Sequence, residues 1–132
     1  NLAVAKEVYL ISVSCKWIGH IDDIKEQIEK CDIVVLPSYR EGVPRTLLEA
    51  TSMSKPIVTT DTVGCREVVD DGANGFLVPV KNSVILAEKI KQLSDDENLR
   101  DTMGKNGRIK ALKEFDIGIV VKKYLEVYEK II

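Results

Sequence analysis

Residues 32–49 read Asp-Ile-Val-Val-Leu-Pro-Ser-Tyr-Arg-Glu-Gly-Val-Pro-Arg-Thr-Leu-Leu-Glu, and this stretch decides the fold. Its apolar run, Asp32–Leu36, is continuous and stops at Pro37, which is typical of a central parallel strand buried on both faces. A helix over about Pro44–Met53 follows, because proline fits a first helical turn, where its missing N–H costs nothing. The stretch therefore predicts a strand and a crossover helix, the repeating unit of a parallel sheet.

Short apolar runs alternate with amphipathic stretches along the rest of the chain. The predicted strands are Cys15–Gly19, Asp32–Leu36, Pro56–Thr60 and Gly75–Val78. The predicted helices are Ile21–Lys30, Pro44–Met53, Cys65–Val69, Ser83–Leu93, Asp95–Glu114 and Ile117–Ile131, with N-caps at Asn82-Ser83 and Ser94-Asp95. Ala3–Ile11 fits a helix or a strand, and helix is favoured. The pattern predicts one α/β domain with a partial doubly wound, Rossmann-like parallel sheet flanked by helices.

The composition excludes several classes of function. The 132 residues are 45% hydrophobic and 30% charged, as in a soluble globular domain. The net charge of -2 and the 5% of aromatic residues give neither the basic face nor the stacking platforms of a nucleic-acid binder. No apolar run approaches the roughly 18 residues that span a membrane.

The three cysteines are too far apart for a zinc motif and odd in number for a disulfide framework. We therefore expect Cys15, Cys31 and Cys65 to be small buried hydrophobes in a reducing cytoplasm. The chain begins at Asn1, without an initiator methionine or a signal peptide, so we expect it to be cut from a longer protein.

Glycine and polar residues follow three of the predicted strands, at Gly19-His20, at Ser38–Gly42 and at Thr60–Gly64. Ligands of open parallel sheets bind beyond the carboxyl ends of the strands, where glycines let backbone amides come close. Any single loop of this kind commonly contains Gly and Asp for structural reasons alone. Three such loops on one edge of the sheet favour a binding site.

Two glutamates frame the start of the second predicted helix. The sequence Gly42-Val-Pro44 keeps Glu41 in the loop, whereas Glu49 lies about one and a half turns inside the helix. The backbone amides of Arg45 and Thr46 lie between them and form an anion site at the positive end of the helix dipole.

A carboxylate inside the helix accepts hydrogen bonds from a vicinal diol such as a ribose, and the loop acid can take hydroxyls beyond the phosphates. A nucleoside diphosphate sugar has this layout. The alternatives are a solvated carboxylate at Glu49 and an ordinary loop charge at Glu41. A glycosidase pair is disfavoured, because the chain lacks the aromatic residues of sugar subsites. A dinucleotide dehydrogenase is also disfavoured, because no Gly-x-Gly-x-x-Gly follows a predicted strand.

Four segments resemble the C-terminal domain of GT4 glycosyltransferases (glycosyl transferases group 1): Asp32–Ala50, Lys55–Asp61, Gly64–Glu67 and Asp71–Val78. The similarity extends to Lys16–Asp23 upstream and to Asn106–Arg108 and Tyr124–Tyr128 downstream, so it covers nearly the whole chain. Its hallmark is the pair of glutamates separated by seven residues.

The resemblance implies that residues 1–132 are the donor-binding, C-terminal half of a GT-B fold, without the start of that domain. It implies a retaining transfer of a sugar from a nucleotide diphosphate sugar, by default a UDP-hexose or UDP-N-acetylhexosamine, to a polysaccharide or lipid-linked acceptor. No metal or other cofactor is expected, because backbone amides and basic side chains stabilise the leaving phosphate. The implied partner is the protein's own acceptor-binding N-terminal domain, through which any membrane contact would occur. The implied location is the cytoplasm, including the inner face of the membrane, and the piece is expected to be inactive alone.

The resemblance also implies roles for single residues. Glu41 would be the catalytic residue and contact the hydroxyls of the transferred sugar, and Glu49 would bind the ribose. The remaining expected donor-binding residues are Gly19 and His20 beside the base, Gly42, Val43, Arg45 and Thr46 around the diphosphate, and Ser38. The chain departs from the family pattern at Val43-Pro44, where many members have a second glycine, and Pro44 has no N–H to donate. The family's phosphate-clamping Arg and Lys would lie before Asn1.

Two other functions stay open from the residues. One is a non-catalytic nucleotide-binding or interaction module with the same sheet. The other is a GT-B nucleotide-sugar epimerase, which would need acid and base residues that this segment does not obviously supply.

Overall fold

The computed structural model describes residues 16–40 and 42–132. Within these ranges the chain forms a three-stranded parallel sheet in the order β1-β2-β3. The strands are β1 (Val34–Leu36), β2 (Ile57–Thr60) and β3 (Gly75–Val78). The predicted element at Ala3–Ile11 and the side chain of Cys15 lie outside the described residues.

Six α-helices and one π-helical turn accompany the sheet in the part of the chain that the structure describes. They are α1 (Lys25–Lys30), α2 (Arg45–Ser52), α3 (Val63–Val68), α4 (Ser83–Asp95), α5 (Glu97–Lys110), the π turn Ala111–Phe115 and α6 (Ile117–Ile131). Helices α2 and α3 connect successive parallel strands, as expected for βαβ units. The predicted α/β fold is therefore confirmed.

Strand β2 occupies the middle of the sheet, and all four of its residues are buried. Side chains alternate between the two faces of a strand. Ile57 accordingly packs in one cluster with residues of α2 and α3, and Val58 packs in a second cluster with residues of α4 and α5. The sheet is thus covered by helices on both faces, which explains why its strands are continuous apolar runs.

The prediction of a strand at Cys15–Gly19 is wrong for its described part. Residues 16–19 form no regular secondary structure, and the Trp17 side chain is 90% exposed. A strand needs a hydrogen-bonded neighbour and a buried face, and this segment has neither in the described ranges. Helix α1 also begins at Lys25 rather than at Ile21, because the Asp23 carboxylate accepts a hydrogen bond from the Lys25 amide at 3.0 Å.

The two predicted N-caps have different outcomes. Asn82 caps α4 as predicted, and its Oδ1 accepts a hydrogen bond from the Ile85 amide at 3.1 Å. The cap predicted at Ser94-Asp95 is wrong, since α4 continues to Asp95 and Ser94 Oγ donates to the carbonyl of Ile90. Asp96 caps α5 instead, and it accepts a hydrogen bond from the Leu99 amide.

The cysteines follow the expectation in part. Cys65 is fully buried against β2, where Thr59 Oγ1 lies 3.2 Å from its sulfur. Cys31 is half-buried at the end of α1, and its thiol donates to the carbonyl of Ile28. Burial raises the pKa of the Cys31 thiol, while the nearby Lys55 ammonium acts in the opposite direction.

Helix α6, at the end of the chain, contains no buried residue. Its apolar side chains recur at helical spacing and remain exposed; they include Ile117, Val121, Tyr124, Leu125, Tyr128 and Ile131. We call this stripe the apolar face of α6. None of the helices in the described ranges has the length and apolar character needed to cross a membrane.

Candidate functional site

The loops that follow the three strands meet at the carboxyl edge of the sheet. Ser38, just after β1, is hydrogen-bonded to Thr60 at the end of β2. The Asp61 amide donates to the carbonyl of Val78 at the end of β3 at 2.7 Å. The grouping predicted from the glycine and polar residues after β1 and β2 is therefore present in the structure.

A cation–π contact joins the first and third of these loops. The Lys81 ammonium lies 5.7 Å from the centroid of the Tyr39 ring, and Lys81 itself has a positive φ of 57°. Such a contact is electrostatic and holds a cation at the rim of the sheet. Neither residue is among those predicted from the sequence, because they are far apart in the chain and only the fold brings them together.

Helix α2 begins where the sequence predicts, with buried Pro44 as its N-cap residue. The Pro44 carbonyl accepts hydrogen bonds from the amides of Leu47 and Leu48. The amides of Arg45 and Thr46 have no hydrogen-bond acceptor among the described residues, as expected in a first helical turn. Two donors and the positive end of the helix dipole thus point into the loop at this edge.

Gly42 and Val43 precede this helix start as an exposed bend. Apart from its chain neighbours, no described residue has an atom within 4 Å of where a Cβ at Gly42 would lie, which leaves space above the backbone for a ligand. Glu41, the predicted catalytic residue, lies outside the described residues.

Glu49 lies one turn inside α2 and is paired with Arg45. The Arg45 Nε lies 2.9 Å from Glu49 Oε1, with the Arg45 side chain 91% exposed and the Glu49 side chain 30% exposed. The Arg45 side chain thus stays exposed while it pairs with Glu49 across one turn of the helix. The pair brings two of the predicted donor-binding residues together.

Glu49 also lines a cavity of about 340 Å³ between α2 and the C-terminal part of the chain. Its other lining residues are Leu48, Ser52, Arg108, Ala111, Leu112, Phe115 and Asp116. The Arg108 guanidinium donates to the carbonyl of Ser52 at 2.8 Å, which joins α5 to the end of α2. Glu49 is thus reachable from solvent through a partly apolar opening.

An ion pair joins Asp61, in the loop after β2, to Arg66 on α3. Arg66 Nε lies 2.5 Å from Asp61 Oδ1, and both side chains are about half-exposed. Within the described ranges, no group of three His, Cys, Asp or Glu side chains is arranged to hold a metal ion.

The predicted base-binding residues, Gly19 and His20, lie in the exposed segment before α1. Gly19 has a positive φ of 72°, and exposed His20 pairs with Asp22 at 3.1 Å. No hydrogen bond or ion pair in the described part of the chain joins either residue to Ser38, Arg45 or Glu49. The structure therefore groups Ser38, Gly42, Val43, Arg45, Thr46 and Glu49 around one edge and leaves Gly19 and His20 outside the contacts of that group.

These features define a parallel α/β domain of the Rossmann-like class, with its candidate site at the carboxyl edge of the sheet. A family model described as "Glycosyl transferases group 1" matches residues 3–110. The chain belongs to this family, and the predicted resemblance is confirmed.

Individual relatives and a solved structure support the assignment. Over 132 residues, the chain is 39% identical to the N,N'-diacetylbacillosaminyl-diphospho-undecaprenol alpha-1,3-N-acetylgalactosaminyltransferase of Campylobacter jejuni, covering 100% of this chain and 35% of the relative. It is 32% identical to the capsular polysaccharide biosynthesis glycosyltransferase CapM of Staphylococcus aureus, over 84% of this chain and 29% of the relative. HepE of Anabaena, solved in complex with UDP, superimposes with a TM-score of 0.83 at 29% identity, over 87% of this chain and 32% of that one.

These comparisons confirm the predicted Rossmann-like half of a GT-B fold and the membership of the chain in the group 1 glycosyl transferase family. The chain spans about a third of the length of the curated relatives it matches.

Proposed function

We propose that the protein containing this chain is a retaining glycosyltransferase that moves a sugar from a UDP-sugar to a lipid-linked or polysaccharide acceptor. This chain supplies the half that holds the donor. The observation that carries the proposal is the start of α2, where the amides of Arg45 and Thr46 have no acceptor among the described residues and precede the Glu49 carboxylate by about one turn. In a nucleoside diphosphate, the diphosphate and the ribose are likewise next to each other along the molecule, so the amides could bind the first and the carboxylate the second.

The amides of Arg45 and Thr46 bind the diphosphate in this proposal, and the helix dipole adds to the attraction. Pro44 has no N–H, so the phosphate contacts begin one residue later than in a loop with glycine at that position. Stabilising the charge that develops on the departing UDP is the main catalytic contribution, and it requires no metal.

Glu49 accepts two hydrogen bonds from the ribose diol. In this structure, Glu49 pairs with the exposed Arg45 guanidinium through a single contact of 2.9 Å. Replacing this contact by hydrogen bonds to the ribose therefore costs little free energy. Glu41 precedes the helix start by four residues and, in keeping with the family pattern, contacts the hydroxyls of the transferred sugar. Gly19 and His20 bind the base through their backbone.

The choice of donor and acceptor follows the relatives. HepE was solved with UDP, and the name of the Campylobacter jejuni relative specifies transfer of N-acetylgalactosamine to a diphospho-undecaprenol-linked sugar. A UDP-hexose or UDP-N-acetylhexosamine is therefore the proposed donor. An acceptor linked to a lipid would bring the enzyme to the inner face of the cytoplasmic membrane.

The rest of the protein is the proposed partner of this half. Helix α6 exposes Tyr124, Leu125 and Tyr128 on its apolar face, and none of its residues is buried. A contiguous exposed apolar face of this kind commonly marks a surface that contacts another protein or domain. An acceptor-binding domain elsewhere in the protein would cover this face and close the donor site.

The test uses the full-length protein with a panel of UDP-sugars and a short diphospho-lipid-linked sugar as acceptor. We expect one UDP-sugar to yield a labelled product with the anomeric configuration of the donor, together with stoichiometric UDP. Binding of UDP without transfer to polysaccharide or lipid-linked acceptors would favour the non-catalytic module instead. An inverted product would overturn the retaining mechanism.

A further inference from the structure

The Thr60 hydroxyl bridges two strands at the edge of the candidate site. Its Oγ1 accepts a hydrogen bond from the Ser38 amide at 3.1 Å and donates one to the Ser38 carbonyl. A hydroxyl can do both at once, since it has one donor and two acceptor sites. Thr60 is only 3% exposed, so these bonds are protected from water.

This bridge replaces backbone pairing at a point where pairing ends. The register of β1 and β2 stops at Leu36 and Thr59, and Pro37 cannot donate to a ladder. Beyond that point, the Thr60 side chain offers Ser38 a donor and an acceptor, as a neighbouring strand would, and the Ser38 amide also donates to the Leu36 carbonyl at 3.1 Å. Thr60 thus connects β2 by hydrogen bonds to the loop between β1 and α2.

We propose that Thr60 is a positioning residue for sugar transfer. It acts through Ser38, which precedes Glu41 by three residues in the loop between β1 and α2. The inference rests on the proposed function, because it assumes that this loop contacts the transferred sugar.

The structure separates this role from nucleotide binding. Glu49 and the free amides are carried by α2, which is anchored by fully buried Leu47 and Ala50. Loss of the Thr60 hydroxyl leaves those anchors unchanged and removes one constraint on the loop. The change is therefore expected in the transfer step and not in the affinity for free UDP.

The chain offers a matched control within the same half. Thr51 is fully buried, and its Oγ1 has no hydrogen-bond partner in the described ranges. Thr51→Val and Thr60→Val thus make the same chemical change in a buried side chain, but only the second removes a bond to the loop. Thr60→Ser keeps the hydroxyl and removes the methyl group.

The experiment measures kcat and KM for sugar transfer and the Kd of free UDP in the full-length protein. We expect Thr60→Val to lower kcat by about 10- to 100-fold, as for a displaced catalytic group. The Kd of UDP is expected to stay within about twofold, because the phosphate and ribose contacts are retained. Thr60→Ser and Thr51→Val are expected to keep kcat near the wild-type value.

Several outcomes would overturn the proposal. A kcat of Thr60→Val equal to that of Thr51→Val would show that the bridge does not matter for transfer. A parallel loss of UDP affinity would indicate a general disturbance of the domain, and a Thr60→Ser variant as slow as Thr60→Val would rule out the hydroxyl. If Thr60→Val does not fold, Thr60→Ala and Thr60→Ser make the same comparison. Failure of the wild-type protein to transfer sugar would instead refute the proposed function.

Discussion

The Arg45 guanidinium lies 2.9 Å from the Glu49 carboxylate, across one turn of α2. Because the Arg45 side chain is 91% exposed, this pair is worth less than about 0.5 kcal/mol of stability. We expect Arg45→Ala to leave the free energy of unfolding nearly unchanged and UDP affinity undiminished, since Glu49 is released for the ribose. Urea titration and calorimetry with UDP measure both quantities. A tenfold weaker Kd would instead show that the guanidinium leaves Glu49 to bind the diphosphate.

The two glutamates are expected to affect different parts of the donor. Glu49→Ala removes charge-assisted hydrogen bonds to the ribose, so it should weaken UDP and UDP-sugar alike by about 10- to 100-fold. Glu41→Ala should spare UDP and weaken only the sugar conjugate. Calorimetric titration of the full-length protein tests this, with Glu88→Ala, at an exposed position of α4, as a control carboxylate. Equal losses from both glutamates would contradict the assignment of roles.

Two glycines of α5 are expected to respond oppositely to alanine. A Cβ at Gly104 would collide with the backbone carbonyl of Ser54, whereas a Cβ at Gly107 meets its nearest atom, Thr51 Cγ2, at 3.5 Å. Gly104→Ala should therefore destabilise the fold by about 1 to 3 kcal/mol. Gly107→Ala should be neutral or stabilising, because alanine favours a helix interior by about 1 kcal/mol. Urea unfolding of both variants tests this difference. Similar midpoints would contradict the close approach of Gly104 to the Ser54 carbonyl.

Lys110 is expected to contribute more to stability than Lys105, which lies five residues earlier in α5. Its ammonium lies 2.8 Å from Asp70 Oδ1 and 3.6 Å from Glu114 Oε2, and its side chain is 11% exposed. Lys105 makes a similar pair with Asp101 at 2.7 Å, but its side chain is 70% exposed. We expect Lys110→Ala to lower the free energy of unfolding by about 1 to 2 kcal/mol. The loss is not larger because Asp70 and Glu114 are partly exposed and can be solvated by water.

Lys105→Ala, its control, should cost less than about 0.5 kcal/mol. Thermal or urea unfolding measures the difference. Equal destabilisation by the two substitutions would mean that burial of the Lys110 side chain does not strengthen its pairs.

The sheet was predictable because its strands are apolar on both faces. Ile57 and Val58 belong to opposite clusters, and this double burial produces the uninterrupted run that the sequence displays. The start of α2 was predictable for a local reason, since Pro44 both ends the loop and suits a helix N-terminus.

Other features depend on tertiary contacts that no local pattern reports. The bridge from Thr60 to Ser38 spans 22 residues, and the contact of Lys81 with Tyr39 spans two loops. A threonine at the end of a β-strand is so common that it does not predict such a bridge. The exposed segment before α1 has the composition of a strand around Trp17. Composition does not show whether a neighbouring strand is available for pairing, so the strand was predicted wrongly for residues 16–19.

Helix α6 is joined to the domain through the π turn Ala111–Phe115 and buries none of its own residues. Its unfolding would therefore expose little additional apolar surface, so its opening is energetically separate from that of the sheet. In hydrogen exchange of this chain alone, the amides of α6 should exchange rapidly while those of β2 remain protected. Slower exchange of α6 in the full-length protein would indicate that the proposed acceptor-binding domain covers this helix.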